Sequence, residues 1–425
     1  MKIAIVGSGI AGNVAAYHLQ REHDITVFES ASHIGGHTHT HDILFDGEHH
    51  AIDTGFIVYN DWTYPNFIAM MKELGVASQP SAMSFSVRNE STGLEYNGTS
   101  MNSLFAQRLN VLRPRFHRML RDILRFNRES PQLIDAKHEI ELGAYLQQNA
   151  YSQAFIDNYL IPMGAAIWST DPARMLSFPA RFFVRFFHNH GMLSVNERPQ
   201  WRTIRGGSAR YVEKLTASFA AHIRLNTPVA TIRRMPGHVL VKTHDAEAER
   251  FDAVFIACHS DQALAMLSDA SALEREVLGS ITYQGNEAIL HTDTALLPRK
   301  KRAWAAWNYH VGDTQQHRSA AMLTYNMNIL QNLQSRHTFC VTLNYTGAIA
   351  PDKIIKRLRY EHPLYTPAGV AAQQRQHEVN GGNRTYFCGA YWRYGFHEDG
   401  VVSALAALKH FDQATHAQRH LSRVA

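Results

Sequence analysis

The feature that most constrains this chain is a glycine-rich turn between a strand and a helix. Residues 2–6, KIAIV, are apolar and rich in β-branched side chains and predict a strand, which leads directly into GSGIAG at residues 7–12. The amphipathic run NVAAYHLQRE predicts a helix, and a second strand, DITVFE, ends in an acid, Glu29. This order of strand, turn, helix, strand and acid predicts a dinucleotide-binding unit in a parallel sheet.

Each glycine of the turn has a physical role in such a unit. Gly7 allows the tight turn, Gly9 lets a pyrophosphate approach the backbone, and Gly12 lets the helix pack closely on the strand. The N-terminus of the helix faces the anion, and Glu29 suits a pair of ribose hydroxyls. The turn residues predicted to contact the nucleotide are Gly7, Ser8, Gly9, Ile10, Ala11 and Gly12.

Five histidines fall within residues 35–56, GGHTHTHDILFDGEHHAIDTGF: His37, His39, His41, His49 and His50. Because alternate residues of an extended chain share one face, the first three could converge on a metal ion. No Cys, Asp or Glu completes a plausible ligand shell in the same strand, so we predict no metal site. The last two are predicted to be solvated residues of a hairpin turn.

The bulk composition is that of an ordinary globular protein, and 425 residues predict two interlocked domains that share a cleft. The chain has 42 Lys and Arg against 37 Asp and Glu, a mild net charge of +5, so no nucleic-acid partner is expected. Cys258, Cys340 and Cys388 are too scattered for a disulfide framework. With no apolar run of about 18 residues and no room for a signal peptide, the sequence predicts a cytoplasmic protein.

Residues 100–200 show helical periodicity, and one of their helices is strongly basic. Seven arginines occur between residues 108 and 128. The expected apolar stripe is Phe116, Met119, Leu120, Ile123 and Leu124, and the opposite stripe is Arg118, Arg121, Arg125 and Arg128. Two interpretations stay open: a solvated helix face, and a peripheral surface that docks on anionic lipid at the inner membrane.

Several segments resemble the flavin amine oxidase superfamily. After the acid, SASHIGGHTHT resembles the family's double glycine followed by a basic residue, and AIDTGFIVYN, IRGGSARYV and FDAVFIAC resemble further cofactor-contacting segments. The resemblance implies FAD, bound non-covalently, because Cys388 does not stand in the family's covalent context. It also implies an α/β fold, in which a Rossmann-like FAD-binding domain of the glutathione-reductase or amine-oxidase type is interleaved with a substrate domain of mixed sheet plus helices. The FAD-binding domain is expected at residues 1–85, 201–282 and 376–425, and the substrate domain at 86–200 and 283–375.

The C-terminal segment TYFCGAYWRYGFHEDG resembles the part of the family in which a helix points its positive N-terminus at the flavin. His37 stands where many relatives carry a phosphate-facing Arg, and Ala390 stands where the family has an acid. His397 and Tyr391 are the candidate catalytic acid–base residues, because they lie in the loop before this helix. Besides the turn and Glu29, the implied cofactor contacts are Ser30, Gly35, Gly36, His37, Thr38, Gly55, Phe56, Gly206, Val229, Gly389, Ala390, Gly400 and Val401.

Other segments, among them GFIVYNDWTYPNF, SLFAQRLNVLRPRF and LTYNMNILQNL, resemble one subgroup. It comprises bacterial amine-oxidase-like flavoproteins and the N-terminal flavin domain of plant cyclopropane-fatty-acid synthases. The resemblance implies an FAD-dependent oxidoreductase that transfers a hydride to flavin N5 from a fatty-acyl chain or lipid, alkylated or not. Two alternatives stay open. The first is an amine oxidase acting on a C–N bond, with Tyr391, Trp392 and Tyr394 available to frame the amine. The second is a non-catalytic flavoprotein partner of a lipid methyltransferase.

Overall fold

The predicted first strand, Lys2–Val6, is the central strand of a five-stranded sheet in which every strand is parallel to its neighbours. The computed structural model describes residues 1–136, 138–312 and 321–424. A central strand of a parallel sheet is covered on both faces, which explains its unbroken apolar run. The strand order is Ile223–Arg224, Asp24–Phe28, Lys2–Val6, Ala253–Ile256 and Thr385–Phe387.

Two layers cover this sheet, one on each face. Ile3 and Ile5 point to a layer of helices, Ile10–Leu19, Pro65–Glu73, Ala209–Thr216 and His397–Val424. Ala4 and Val6 point to the opposite face, as successive strand residues must, and pack against an antiparallel three-stranded sheet. That second layer consists of strands Val229–Met235, His238–Thr243 and Glu249–Phe251 with helices Ser260–Met266 and Ala272–Gly279.

A separate seven-stranded mixed sheet is built mainly from the second half of the chain. Its strand order is Ile354–Leu364, Thr282–His291, Cys340–Leu343, Met322–Asn326, Trp307–Val311, Phe85–Asn89 and Leu94–Asn97. All neighbours are antiparallel except Trp307–Val311 and Phe85–Asn89, which run parallel. The helical region between residues 101 and 189 packs its aromatic side chains against this sheet.

The helical region and the connecting segments contain shorter elements. The helices and single turns of helix there are Met101–Leu104, Arg108–Leu112, Pro114–Glu129, Ser130–Asp135, Leu142–Gln148, Gln153–Phe155, Ile156–Leu160, Ile161–Trp168, Pro172–Met175 and Ala180–Asn189. Further helices are Met327–Leu330, Pro367–Gln373 and Gln376–Val379. A hairpin joins Thr40–Phe45 to Glu48–Asp53, and a small sheet joins Tyr59–Asn60, Trp201–Ile204 and Ser78–Pro80.

The predicted fold class is confirmed, because a parallel α/β unit is interleaved with a mixed sheet plus helices. Two local predictions are wrong. Leu124 is 57% exposed, and Asp122 takes a buried position instead, where its carboxylate accepts hydrogen bonds from the backbone N–H and hydroxyl of Ser152. His50 is buried within strand Glu48–Asp53, with its ring 4.8 Å from the ring of Phe339.

Within the described ranges, none of the helices combines the length and the apolar character that crossing a bilayer requires.

One ion pair fastens the antiparallel layer to its neighbouring helix, and its loss should destabilise the fold. The guanidinium of Arg234 is buried and donates to both oxygens of Glu274, at 2.8 and 2.9 Å. We expect Arg234→Ala to lower the free energy of unfolding by about 3 kcal/mol, because it leaves a buried carboxylate uncompensated. The matched control is Arg375→Ala, which removes surface ion pairs with Glu276 and Glu378. Urea denaturation that finds equal losses for both variants would contradict this assignment.

Candidate functional site

A cavity of about 420 Å³ lies at the carboxyl ends of the parallel strands. Gly7, Glu29, His259 and Gly389 each follow a different strand of that sheet, and all four line the cavity. Its other wall is formed by residues of the mixed sheet, including Trp307. Ligands of open α/β sheets bind at this edge, outside the carboxyl ends of the strands.

Two glycine turns form the floor of the cavity and leave space above their backbone. A Cβ added at Gly9 would meet no protein atom within 4 Å, so the space beside this residue is open. A Cβ at Gly12 would overlap the carbonyl oxygen of Gly7, and one at Gly36 would lie 3.1 Å from Cα of Gly9. The two turns therefore pack backbone on backbone, which leaves a cradle for a group as large as a pyrophosphate beside helix Ile10–Leu19.

Glu29 holds the first turn in place while it lines the cavity. Its Oε2 accepts hydrogen bonds from the backbone N–H of Ser8 at 2.8 Å and from the Ser8 hydroxyl at 2.6 Å. Its Oε1 accepts the backbone N–H of Ala31 at 2.8 Å. Because each carboxylate oxygen can accept more than one hydrogen bond, the acid can still receive ribose hydroxyls.

The cavity offers a phosphate no fixed positive charge, because no Lys or Arg occurs among the described residues that line it. His37, half-buried beside the double glycine, has a buried Nε2 atom without a hydrogen-bond partner. Burial and the neighbouring His259 lower the pKa of His37 to about 4, so its ring is neutral. Backbone N–H groups and the helix N-terminus must therefore carry the anion, with this imidazole as a neutral donor. The cradle, Glu29 and this unpartnered nitrogen together fit a dinucleotide.

The end of the cavity away from the glycine turns is aromatic and aliphatic. Helix Ile161–Trp168, the mixed sheet and the loop before the last helix supply its side chains: Ile167, Trp168, Trp307, Tyr325, Leu343, Tyr365, Tyr394 and Phe396. The indole N–H of Trp307 and the hydroxyl of Tyr365 have no hydrogen-bond partner. We call this aromatic end of the cavity the substrate chamber. A chamber of this kind binds apolar groups by excluding water, and its few free polar atoms orient the bound group.

His397 lines the cavity from the first position of helix His397–Val424 and is held by three neighbours. Its Nε2 lies 2.9 Å from Thr38 Oγ1 and 2.9 Å from the hydroxyl of Tyr211, and its ring stacks on Phe56 at 3.5 Å. Burial and the nearby His37 hold the pKa of His397 well below its usual value. The imidazole is therefore neutral at ordinary pH, and its Nε2 is already occupied.

Tyr391 lines the cavity from a single 3-10 turn, Ala390–Trp392. Its buried hydroxyl has no hydrogen-bond partner, and burial raises the pKa of this phenol well above its usual value. The phenol stays protonated and is available to donate a hydrogen bond into the cavity. Trp392 points elsewhere: it is buried against the parallel sheet and is not among the described residues that line the cavity. The expectation that it helps to frame an amine is wrong.

The predicted cofactor residues fall into two groups. Those that line the cavity are Gly7, Gly9, Ile10, Ala11, Glu29, Ser30, Gly35, Gly36, His37, Gly55, Phe56, Gly389 and Ala390. Those that are not among the described lining residues are Ser8, Gly12, Thr38, Gly206, Val229, Gly400 and Val401. Gly400 permits the last helix to approach the first, because a Cβ there would lie 2.6 Å from Ile10 Cγ2. Gly206 and Gly207 form a further glycine pair, and Gly207 packs on Thr40 of the hairpin. The backbone N–H of Ser208, the next residue, donates to Asp53 of the same hairpin at 2.9 Å.

The sequence did not reveal a histidine cluster on one wall of the cavity. The ring of His37 lies 5.5 Å from that of His362 and 6.1 Å from that of His259. His259 stacks on Tyr283 at 4.3 Å, and Asn286 Nδ2 lies 2.9 Å from His362 Nδ1. Of these residues, only His259 could have been placed at the site from the sequence, because it follows strand Ala253–Ile256 at the edge of the sheet where ligands bind. His362 lies inside a strand, and only the folded chain brings it here.

Two other histidines of the run, His39 and His41, pack side by side with His33. The ring of His39 lies 4.0 Å from those of His33 and His41, and the amine of Lys356 lies 3.1 Å from His41 Nδ1. Burial and these neighbours lower the pKa of His39 to about 3. In the part of the chain that the structure describes, no group of three His, Cys, Asp or Glu side chains has an arrangement that could hold a metal ion.

Comparisons with known proteins agree with this geometry. A model for the family "Flavin containing amine oxidoreductase" matches residues 10–343. No curated protein matches the sequence. Cyclohexylamine oxidase from Brevibacterium oxydans IH-35A has a similar structure, with 14% identity and a TM-score of 0.70 over 97% of this chain and 99% of that one.

Two further solved structures are similar along nearly their whole length. The putative protoporphyrinogen oxidase from Exiguobacterium sp. 255-15 has 17% identity and a TM-score of 0.68, over 97% of this chain and 98% of that one. The CLA-producing fatty acid isomerase from P. acnes has 16% identity and a TM-score of 0.66, over 96% and 98%. At these identities, the likeness shows a shared fold.

Two glycine substitutions should separate binding from folding. Gly9→Val adds its side chain to open space, so we expect a protein that folds normally but purifies without its dinucleotide. Gly12→Val overlaps the backbone of the turn, so we expect both the nucleotide and several degrees of melting temperature to be lost. The measurements are cofactor absorbance after gel filtration and thermal unfolding of the cofactor-free forms. Full occupancy in Gly9→Val would show that the cradle is not the binding site.

Proposed function

The chain belongs to the flavin-containing amine oxidoreductase family and is an FAD-dependent oxidoreductase; on that premise we propose that it oxidises the acyl chain of a fatty acid or lipid, alkylated or not. When bound, FAD would supply the two-electron acceptor for removal of a hydride from the substrate carbon. The pyrophosphate of FAD would be held by Gly7, Gly9, Gly36 and the start of helix Ile10–Leu19. Glu29 would accept hydrogen bonds from the ribose hydroxyls.

The observation that carries the proposal is the uncharged character of the aromatic end of the cavity. Two carboxylates, Glu29 and Glu361, occur among the described lining residues. Glu29 is engaged by the first turn, and Glu361 lies 3.7 Å from Nδ1 of His259 on the histidine wall. The aromatic end therefore suits an uncharged segment of substrate, and each methylene buried there would contribute about 0.8 kcal/mol to binding.

The chain's own side chains orient the substrate and exclude water. His397 has a pKa too low and an Nε2 too fully engaged for proton transfer, so we assign it to positioning Phe56 beside the cavity. Tyr391 keeps its proton and is the candidate donor of a hydrogen bond to a bound group. Oxidation of the chain to an alkene removes a hydride from one carbon and a proton from the next, and Glu361, a carboxylate of the cavity wall beside His259, would take that proton. A dry chamber would hold the hydrocarbon in place for this step.

The similar solved structures include enzymes of two substrate classes, fatty acids and amines. The similar structure of a fatty acid isomerase from P. acnes supports an acyl substrate. The sequence resemblance to the flavin domains of cyclopropane-fatty-acid synthases supports it too. Pairing with a lipid methyltransferase is part of that proposal. The cyclohexylamine oxidase favours the second candidate, oxidation of an amine. A neutral amine would also suit a chamber walled by Tyr365 and Tyr394.

Anaerobic mixing of the oxidised holoprotein with candidate substrates separates these functions. We expect acyl lipids and fatty acids to bleach the flavin absorbance band, and primary amines to leave it unchanged. Saturated and cyclopropane-containing chains should be compared, because an alkyl branch changes the width of the segment that enters the chamber. Rapid bleaching by amines with none by any acyl compound would refute the acyl proposal and establish the amine oxidase.

The pH dependence of flavin reduction between pH 8.0 and 9.5 distinguishes an acyl substrate from an amine substrate independently. Burial raises the pKa of Asp53 to about 6 and that of Asp399 to about 7, so both are already ionised there. His397 remains neutral and Tyr391 protonated, because their pKa values lie well below and well above this window. An uncharged acyl segment should therefore be oxidised at a constant rate. An amine with an ordinary pKa near 10 should react roughly tenfold faster per pH unit, as its neutral fraction grows.

A further inference from the structure

The largest concentration of exposed apolar side chains coincides with the most basic stretch of the chain. Among the described residues, five of the ten large hydrophobic side chains that are exposed lie between residues 101 and 124. They are Met101 at 69%, Leu109 at 67%, Val111 at 51%, Leu112 at 78% and Leu124 at 57% exposed. Clusters of this kind mark interaction sites, whereas single exposed hydrophobic residues need no explanation.

Hydrogen bonds tie the short elements of this region into one surface, residues 101–128, which we call the docking segment. The guanidinium of Arg108 donates to the carbonyl of Phe105 at 3.1 Å and to Asn102 Oδ1 at 2.6 Å, which joins turn Arg108–Leu112 to the helix before it. Nε2 of His117 lies 2.7 Å from the carbonyl oxygen of Val111, which joins the turn to helix Pro114–Glu129. Three exposed side chains, Leu109, Val111 and Leu112, thus project from a fixed turn.

The charge on the docking segment is strongly positive. It contains seven arginines and one acid, Asp122, whose carboxylate is buried against Ser152. Glu129, just beyond it, pairs with Arg125 at 2.8 Å and with Arg128 at 3.0 Å. Arg115, Arg118 and Arg121 are exposed and have no ion-pair partner within the described ranges. Their charge is therefore free to meet an external anion.

A second cavity, of about 800 Å³, lies beside the docking segment. Arg113, Arg115 and Arg118 line it, and it reaches Ile161 at the start of helix Ile161–Trp168. Trp168, at the other end of that helix, lines the substrate chamber. Ile161 and Trp168 are seven helical steps apart, a rise of about 10 Å. This distance is short compared with an acyl chain.

We propose that the docking segment binds the surface of an anionic lipid bilayer, with Leu109, Val111 and Leu112 inserted among the lipids and Arg115, Arg118 and Arg121 on the headgroups. Apolar insertion combined with basic side chains is how peripheral proteins hold such membranes. Arg113, Arg115 and Arg118 would then receive the headgroup of a lipid whose chain enters the protein. That last step rests on the proposed function, whereas docking does not.

Vesicle flotation of the FAD-loaded protein tests the surface. Vesicles of phosphatidylcholine with about 30% phosphatidylglycerol should carry the wild type, and phosphatidylcholine alone should carry much less. We expect Leu109→Ser with Leu112→Ser to lower the partition coefficient about tenfold per leucine. The triple variant Arg115→Gln, Arg118→Gln, Arg121→Gln should lower it about fivefold per arginine, and added salt should weaken wild-type binding.

Matched controls change the same chemistry elsewhere. Arg205, Arg233 and Arg250 are exposed, so their replacement by Gln changes the net charge equally, and Leu44→Ser with Val195→Ser removes two exposed apolar side chains. Both control variants should bind like wild type, and FAD content should verify that every variant is folded. If the wild type shows no preference for anionic vesicles, or if the controls lose as much binding as the docking variants, the proposal is wrong.

The same preparation separates the failure of docking from that of the proposed function. Binding to anionic vesicles without flavin reduction by any acyl lipid would leave the docking surface intact and refute acyl oxidation. Flavin reduction by detergent-dispersed lipid without vesicle binding would support acyl oxidation and refute the docking surface.

Discussion

The site depends on one close approach of backbone to backbone, between Gly12 in the first helix and the carbonyl of Gly7 in the turn before it. That contact fixes the angle at which helix Ile10–Leu19 leaves the parallel sheet and so aims its N-terminus at the cavity. Gly36 packs a second turn against Gly9, and Glu29 clamps the first turn through Ser8. An anion can then be held without cationic side chains, because backbone N–H groups and the helix end supply the positive potential.

The first βαβ unit could be predicted from sequence because its signals are local. The strand, the glycine turn and Glu29 lie within thirty residues, and each is required by the geometry of its immediate neighbours. The predicted fold class was confirmed as well, and it rested on the family resemblance in addition to these local signals. His50 was misplaced because a ring distant in sequence, Phe339, covers it. Leu124 was misplaced because Asp122 takes the buried position instead, where it accepts a hydrogen bond from the distant Ser152.

The walls of the cavity could be predicted only in part. Segments that resemble the flavin family supplied most of the floor, because short motifs determine it. The aromatic end is assembled from residues as far apart in sequence as Trp168, Trp307 and Tyr394, none of which belongs to a local pattern. The histidine cluster likewise joins His37 to His362 across the two sheets. Asn286, which lies beside His362, sits in a strand whose sequence gives no indication of this role.

Charge is divided between two regions of the molecule, and this division is the basis of the functional account. The chamber is aromatic and has no cationic side chain among its described residues, whereas the docking segment has seven arginines. A substrate with a charged head and a long uncharged chain matches that division better than a small amine does.

Rates of flavin reduction by protiated and perdeuterated acyl chains test most directly the claim that the protein oxidises an acyl chain. The account predicts slower bleaching with the deuterated chain, because a C–H bond breaks as the flavin is reduced. Equal rates with both chains, or no bleaching with either, would contradict it.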